Sequence, residues 1–252
     1  MIVKRLSSLE DLGNVTVLCT DKGGTLTENK PTIQQLVSSD DHLFELLACA
    51  SIDRASQGPE GTQTSFDAAF EAYVPDGIKT EAKTFTIEQE VPFDPAARRR
   101  RVILADSDTQ RVPGKRYLVV IGSPETLLEI AHCETTQQYR DEFAAEGRQG
   151  MRHLALAYRE LNQSETADPL ALEKDLTFLG FVSLADPLRA STPQTLNRAR
   201  QLGVGIKILT GDSPEVAGYV GEQVGLLPAG GTVSTGDALA TLSPTDFTRA
   251  VT

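Results

Sequence analysis

The pattern of apolar and polar residues predicts two styles of structure along the chain. Val15–Thr20 and Val204–Leu209 are rich in β-branched and apolar residues, and each predicts a buried strand that ends in a polar loop. After the second strand, Pro214–Val224 predicts a helix that ends at Gly225. The first and last parts of the chain are therefore predicted to share one α/β fold.

The long stretch between these two strands predicts an inserted domain, because it exceeds a plain βα connection. Period-two alternation or continuous apolar runs predict its strands at Phe85–Phe93, Arg98–Leu104, Arg116–Ile121, Arg152–Tyr158 and Leu176–Leu184. Helical spacing predicts its helices at His42–Ser51, Ser65–Val74, Glu125–Ile130 and Gln137–Glu146, with Ser65 as an N-cap. Helices over an antiparallel sheet make this insert α+β.

Shorter patterns complete the prediction. They comprise an amphipathic lead with Leu6, Leu9 and Leu12, a loop at Gln57–Thr62, a turn at Pro113-Gly114, a helix at Thr192–Leu202, a short strand at Thr232–Ser234 and a final helix opening at Ser243. No internal repeat or low-complexity tract interrupts this plan.

Composition excludes several classes of protein. The net charge of −11 argues against a nucleic-acid binder, which would present a basic face. No apolar run is long enough to span a membrane, and the first residues lack the apolar core of a signal peptide. Cys19, Cys49 and Cys133 show no metal-ligand spacing, which indicates reduced cysteines in a cytosolic setting.

Two strand ends carry the residues suited to phosphate and magnesium chemistry. The first reads Asp21-Lys-Gly-Gly-Thr-Leu-Thr27, and the second reads Thr210-Gly-Asp212. Hydroxyls and free backbone N–H groups bind phosphate oxygens, while carboxylates bind Mg²⁺. Each short motif alone is a common turn, but their order and spacing together favour a phosphoryl-transfer site.

The first loop resembles the phosphorylation loop of P-type cation-transporting ATPases, a branch of the haloacid-dehalogenase superfamily. The resemblance implies that Asp21 is the nucleophile that accepts the γ-phosphoryl group of ATP. It also implies that Asp21 and the Gly23 carbonyl bind Mg²⁺ and that Thr210 contacts the phosphoryl group. The candidate catalytic residues are Asp21, Lys22, Gly23, Thr25, Thr210, Gly211 and Asp212.

The same resemblance implies an ATP site in the insert. Phe93 matches a phenylalanine that stacks on adenine, and Asp67 matches a polar residue near the adenine amino group. Arg98, Gly122 and Arg152 match positions at the phosphates or the pocket wall. Asp186 and Arg189, in Asp186-Pro-Leu-Arg189, match a nucleotide-contacting segment at the seam between the two domains. Two other stretches look most like the magnesium-transporting subgroup: Pro92-Phe-Asp94 with the arginine cluster that follows it, and Lys207-Ile-Leu-Thr-Gly-Asp-Ser-Pro-Glu215.

Three departures from the family pattern weaken the expected activity. Gly23 replaces a threonine, and a lost hydrogen bond to a charged group costs about 1.5–3 kcal/mol. Ile121 stands where the family has the lysine of its adenine pocket, so we expect weak nucleotide binding. The acidic loop that would complete the Mg²⁺ site does not follow Thr235-Gly-Asp237.

The resemblance implies a fold of three segments. Residues 1–31 and 184–252 are an incomplete, Rossmann-like (haloacid-dehalogenase-like) phosphorylation domain, and residues 32–183 are the nucleotide-binding insert. A partial parallel sheet leaves an unpaired edge and apolar surface, which either a homo-oligomer or a rearrangement of the chain would cover.

These implications favour one function and leave two alternatives open. The first is the cytoplasmic, soluble part of a P-type ATPase whose transmembrane and actuator domains lie elsewhere; the parent would couple ATP hydrolysis to cation transport, and this chain alone is expected to be inert. The alternatives are a free-standing haloacid-dehalogenase-type phosphatase and a non-catalytic nucleotide-binding module.

Overall fold

The computed structural model describes residues 13–52, 64–107, 115–165 and 168–251. The chain divides into two compact units. Unit 1 comprises Met1–Asn29, Gly147–Gly150 and Pro187–Thr252, and unit 2 comprises Lys30–Glu146 and Met151–Asp186. These units end within three residues of the predicted boundaries at 31/32 and 183/184, apart from the short segment 147–150. Their assignment as functional domains stays a prediction.

The described secondary structure follows the predicted order closely. The strands are β1 (Val17–Asp21), β2 (Thr32–Ser38), β3 (Phe85–Asp94), β4 (Arg99–Asp106), β5 (Arg116–Gly122), β6 (Ala131–His132), β7 (Arg152–Leu161), β8 (Leu176–Ala185) and β9 (Gly205–Leu209). The helices are α1 (Asp41–Ala50), α2 (Ser65–Tyr73), α3 (Asp76–Ala82), α4 (Pro124–Ile130), α5 (Thr136–Gly147), α6 (Thr192–Gln201), α7 (Pro214–Gln223), α8 (Gly236–Ala240) and α9 (Pro244–Val251).

Unit 2 is built on a mostly antiparallel sheet with the strand order β2-β8-β7-β5-β4-β3, and β6 pairs in parallel with β8. Alternate side chains of β5 enter two separate cores: Val119 and Ile121 pack on the side of α1–α3, whereas Leu118 and Val120 pack on the side of α4 and α5. The predicted α+β insert with an antiparallel sheet is therefore confirmed.

Unit 1 contains a parallel pair of strands and a small core. The register of β1 on β9 runs from Val17 opposite Gly205 to Asp21 opposite Leu209. The buried core residues are Leu26, Leu196 and Val224, with Leu188, Ile206, Ile208 and Leu226 packed against them. Gly225 adopts a positive φ of 68° directly after α7, as a helix-terminating glycine does.

Four local predictions need correction. Thr64, not Ser65, is the N-cap of α2, because its hydroxyl accepts from the Asp67 N–H. No strand forms at 232–234, where the backbone is unpaired before α8. Strand β2 was missed because its register shifts between Ile33 and Gln35, which breaks the alternation. The seven-residue helix α3 was missed because it buries only Ile78 and Ala82.

Three predicted features lie outside the described residues. They are the amphipathic lead with Leu6, Leu9 and Leu12, the loop at 57–62 and the turn at 113–114.

Candidate functional site

The loop after β1 holds Asp21 at the end of its strand. Asp21 is exposed, and the Lys22 N–H donates to its Oδ1 at 2.7 Å. The N–H groups of Leu26 and Thr27 donate to the Lys22 carbonyl at 3.0 and 3.2 Å, which folds the loop into a helical turn. The Asp21 carboxylate is therefore fixed by its own loop and stays accessible.

A buried ion pair joins this loop to the second strand end. Because β1 and β9 are parallel and Asp21 lies opposite Leu209, both loops leave the same end of the strand pair. Lys22 Nζ lies 2.6 Å from Asp212 Oδ2, and their side chains are only 3% and 7% exposed. The sequence placed both residues in the catalytic set but did not predict that they pair with each other.

The Thr-Gly-Asp loop is ordered by its own side chain. The Asp212 N–H donates to Thr210 Oγ1 at 3.2 Å, and Ser213 caps α7 directly afterwards. Gly211 is exposed between them. Thr210 is half-buried, and its hydrogen bond from the Asp212 N–H fixes its hydroxyl in the loop that follows β9.

The two glycines of the first loop have different roles. Gly24 has a φ of 72°, and its carbonyl accepts from Arg189 Nη2 at 2.8 Å. At Gly23, a built Cβ would have no atom within 4 Å. The backbone there admits a larger side chain, so the departure from the family threonine removes a hydroxyl without relieving any crowding. Thr25, two residues further on, is exposed.

The described residues provide few ligands for a divalent cation. No group of three or more His, Cys, Asp or Glu side chains with metal-binding geometry lies among them. Asp212 already pairs with Lys22. The Asp21 carboxylate and the Gly23 carbonyl are hard oxygen ligands of the kind that Mg²⁺ prefers, and their binding of Mg²⁺ stays a prediction.

In unit 2, strand register brings the other candidates to one end of the sheet. Arg99 at the start of β4 lies opposite Gly122 at the end of β5, and Gly122 lies opposite Ala155 near the start of β7. A register shift between Val91 and Asp94 lets β3 continue past this point. Consequently the described sheet gathers Phe93, Arg98, Gly122 and Arg152 at the same end.

Phe93 is the exposed aromatic residue at this end. Val91 pairs with Arg101 and Asp94 pairs with Arg99, so Pro92 and Phe93 both lie opposite Arg100. Phe93 is 55% exposed, although it is apolar and lies within strand β3. An exposed ring in a bulge, beside a row of arginines, is a platform on which a base can stack.

Of the four consecutive arginines, Arg99, Arg100 and Arg101 bind carboxylates of the protein, whereas Arg98 forms no such ion pair among the described residues. Arg99 and Arg101 both bind the carboxylate of Glu173, and Arg100 Nη2 donates to Asp67 Oδ1 at 2.8 Å. Arg98 is exposed, has a φ of 53°, and forms no side-chain ion pair with the residues described. Arg98 is thus the arginine of this run that a phosphate can recruit.

Glu173 was missed by sequence reasoning. It lies 72 and 74 residues from the arginines that it binds, and no local spacing links them. Burial raises the pKa of the Glu173 carboxyl, but the hydrogen bonds from Arg99 and Arg101 outweigh burial and hold this pKa below its ordinary value.

Asp67 and Arg152 lie on the helix side of the same sheet end. Asp67 is buried, and its Oδ2 accepts from the Thr64 N–H at 3.0 Å and from the Thr64 hydroxyl at 2.8 Å. The Arg152 guanidinium lies 5.0 Å from the centre of the Phe66 ring. The first turn of α2 thus holds both groups near the start of β7.

Gly122 and Ile121 each have a structural reason for their residue type. A Cβ on Gly122 would lie 2.5 Å from the Arg98 carbonyl oxygen and 2.8 Å from the Arg99 Cα. Glycine is therefore required for the close approach of β4 to β5, independently of any ligand. Ile121 is buried in the core with Val119. An apolar side chain at this position joins the core, which a lysine could not do without cost.

Asp186 and Arg189 each stabilise a turn in their own unit. In unit 2, the Lys30 N–H donates to Asp186 Oδ1 at 3.2 Å. In unit 1, Arg189 bonds the Gly24 carbonyl, and the Arg189 N–H donates to the Leu26 carbonyl at 2.9 Å.

Unit 2, an antiparallel α+β unit with an exposed aromatic ring next to an arginine, has the features of a nucleotide-binding class of protein. Comparison with known proteins agrees. A family model described as P-type ATPase, cytoplasmic domain N, matches residues 47–191. That match covers more than half of the chain, and the chain therefore belongs to this family.

Individual relatives point the same way. The chain is 26% identical to a calcium-transporting ATPase of Bacillus subtilis (strain 168), over 306 aligned residues that cover 99% of this chain and 33% of that protein. It is 30% identical to a plasma membrane ATPase of Kluyveromyces lactis and to plasma membrane ATPase 2 of Saccharomyces cerevisiae, each over 236 residues and 89% of this chain. Those alignments cover 24% and 23% of the two yeast proteins. The chain thus spans about a third or less of these relatives.

The helices described here are all too short or too polar to cross a membrane.

Proposed function

We propose that unit 2 binds ATP at the end of its sheet where β3, β4, β5 and β7 meet. The observation that carries this proposal is the exposed ring of Phe93 beside the available guanidinium of Arg98, in a unit of the nucleotide-binding family. Phe93 stacks on the base and Arg98 binds phosphate oxygens bidentately. Arg152 supports the phosphate side, and Asp67 orders the wall of the pocket. Weak affinity is expected, because Ile121 supplies no cation.

For unit 1 we propose a Rossmann-like, haloacid-dehalogenase-type phosphorylation domain. A carboxylate oxygen of Asp21 attacks the γ-phosphorus of ATP, the bond from phosphorus to the bridging oxygen breaks, and ADP leaves. Water then hydrolyses the aspartyl phosphate and releases inorganic phosphate. Thr210 donates to the phosphoryl oxygens. Asp21 and the Gly23 carbonyl would hold Mg²⁺, which would neutralise the charge of those oxygens. In the parent pump this cycle takes place on the cytoplasmic side of a membrane and drives cation transport across it. The partners of this part of the chain are the transmembrane and actuator domains. Within the family, we favour the magnesium-transporting subgroup.

The ATP site is tested by a ¹⁵N NMR titration of the chain with ATP and Mg²⁺. Resonance shifts should cluster at Phe93, Arg98, Gly122 and Arg152. Replacing Phe93→Ala removes a stack worth about 1–3 kcal/mol and should weaken binding roughly tenfold or more. Phe247→Ala is the matched control, because Phe247 is a 44% exposed phenylalanine in unit 1. If Phe93→Ala and Phe247→Ala have equal effects, the stacking assignment is wrong.

The phosphorylation step is tested by following phosphate release. We propose that the native chain alone turns over no ATP, since Gly23 lacks the hydroxyl and the described residues contain no cluster of three or more metal-binding side chains. Gly23→Thr fits the open space at this position and is the variant in which activity should first appear. Turnover by the native chain that Asp21→Asn abolishes would contradict the proposed inactivity and support the role of Asp21.

A further inference from the structure

The carboxylate of Asp67 accepts three hydrogen bonds from protein donors. Its Oδ2 accepts from the Thr64 N–H and the Thr64 hydroxyl, and its Oδ1 accepts from Arg100 Nη2. A carboxylate offers about four acceptor sites, so three are already used. The residue is only 4% exposed, which leaves the fourth site covered by protein.

Among the described residues, the side chains that flank Asp67, Arg100 and Phe93 add no group that hydrogen-bonds the edge of a base. Ile121 is apolar and buried in the core at 4% exposure. Arg100 is paired with Asp67, and Arg152 lies against the Phe66 ring. Phe93 offers a ring face and no hydrogen bond. The side chains at this end of the sheet can therefore hold a base by stacking, which every purine supports alike.

Adenine and guanine differ mainly in the hydrogen-bonding groups along one edge of the base, and the side chains considered above form no hydrogen bond with that edge. Adenine presents an exocyclic amino donor where guanine presents a carbonyl acceptor. A site built to bond one such group rejects the other base by up to about 10⁴-fold, whereas apolar contacts discriminate weakly.

We infer that unit 2 binds purine nucleotides with little preference between adenine and guanine, because Asp67 is committed to Thr64 and Arg100 and cannot accept from the adenine amino group. Asp67 is in this respect a positioning residue: it caps α2 and fixes Arg100. The inference rests on the proposed nucleotide site and concerns its base selectivity alone, since the phosphates reaching Arg98 are the same in both nucleotides.

The test is a parallel titration of the native chain with ATP, GTP and ITP, each with Mg²⁺, followed by ¹⁵N NMR. The three dissociation constants should agree within about threefold. ATP binding roughly tenfold or more tighter than GTP and ITP would overturn this inference and leave the proposed ATP site intact. No shift with any nucleotide up to roughly 10 mM would overturn both.

A substitution sharpens the result. Arg100→Gln removes a donor and its charge from Asp67 Oδ1, so it should shift selectivity toward ATP by about threefold or more. Arg116→Gln is the control, because Arg116 pairs with Glu88 at the other end of β5 and should leave selectivity unchanged. A shift toward ATP in Arg100→Gln alone supports the inference, and an unchanged ratio contradicts it.

A second variant keeps the inference testable if Arg100→Gln does not fold. Phe93→Ala should weaken ATP and GTP by the same factor, because stacking is the interaction they share. A loss confined to ATP would show that the adenine edge is read, and would overturn the inference.

Discussion

The two units differ in how deeply the strands that carry their candidate site residues are buried. In unit 2 the sheet that carries Phe93 has a buried centre: Leu118 and Val119 on β5 are fully buried. In unit 1 the strand behind Asp21 leaves Val17 49% and Leu18 45% exposed. Since burial of apolar surface supplies most of the stability of a fold, unit 2 is held by its own core, whereas unit 1 depends more on specific polar links.

The largest expected effect comes from breaking the polar link of unit 1. Lys22→Met leaves Asp212 buried without its cation, which costs about 3–5 kcal/mol. The small core of unit 1 cannot offset this, so unit 1 should unfold while the resonances of unit 2 persist in a ¹⁵N spectrum. Arg249→Met, which breaks an exposed ion pair in the same unit, should change stability by less than about 1 kcal/mol. Equal effects of the two substitutions would refute the structural role of Lys22.

A smaller effect is expected from the equivalent change in unit 2. Glu173→Gln weakens the acceptor of Arg99 and Arg101 and should lower the free energy of unfolding by about 3 kcal/mol in a urea titration. Because the core is large, we expect the variant to remain folded in water. Glu160→Gln is its control, since Glu160 is 56% exposed where it pairs with Lys115. A Glu173→Gln loss no greater than that of the control would contradict this assignment.

The smallest effect is a dependence on pH. The pKa of Glu173 is lower in the folded chain than its ordinary value of 4.5, so its ionisation stabilises the fold fully above about pH 4.5. That contribution is lost as pH falls through the lowered pKa. The difference in unfolding free energy between the native chain and Glu173→Gln should therefore shrink as pH decreases from about 6 to about 3. A difference that stays constant over this range would contradict the assigned pKa direction.

Most of the fold was predictable because most of its strands and helices have a clear local pattern of apolar and polar residues. The alternation of Phe85–Phe93 and the apolar run of Leu176–Leu184 each correspond to a strand of the sheet. Strand β2 and helix α3 were not predictable in this way, since a bulge and a weakly apolar sequence hide their periodicity. Sequence shows what one element buries, but not where a bulge falls.

The candidate site was predictable in its residue types and not in its pairings. Motif spacing placed Asp21 and Thr210 at strand ends, and parallel register brings those ends together. The partners Lys22–Asp212 and Arg100–Asp67 are separated by 190 and 33 residues along the chain, so only the tertiary fold reveals them. These pairings show which charged side chains are engaged within the protein, in contrast to Arg98.

The irregular edge strand that displays Phe93 also affects how copies of the chain meet. Strand β3 ends the sheet, and a straight edge would offer its backbone groups to another molecule. Its two register shifts, the proline at position 92 and the acidic Glu88 and Glu90 interrupt that ladder. The register shift that exposes the Phe93 ring thus also makes this edge a poorer partner for intermolecular β-pairing, and we expect it to disfavour fibril growth from this edge.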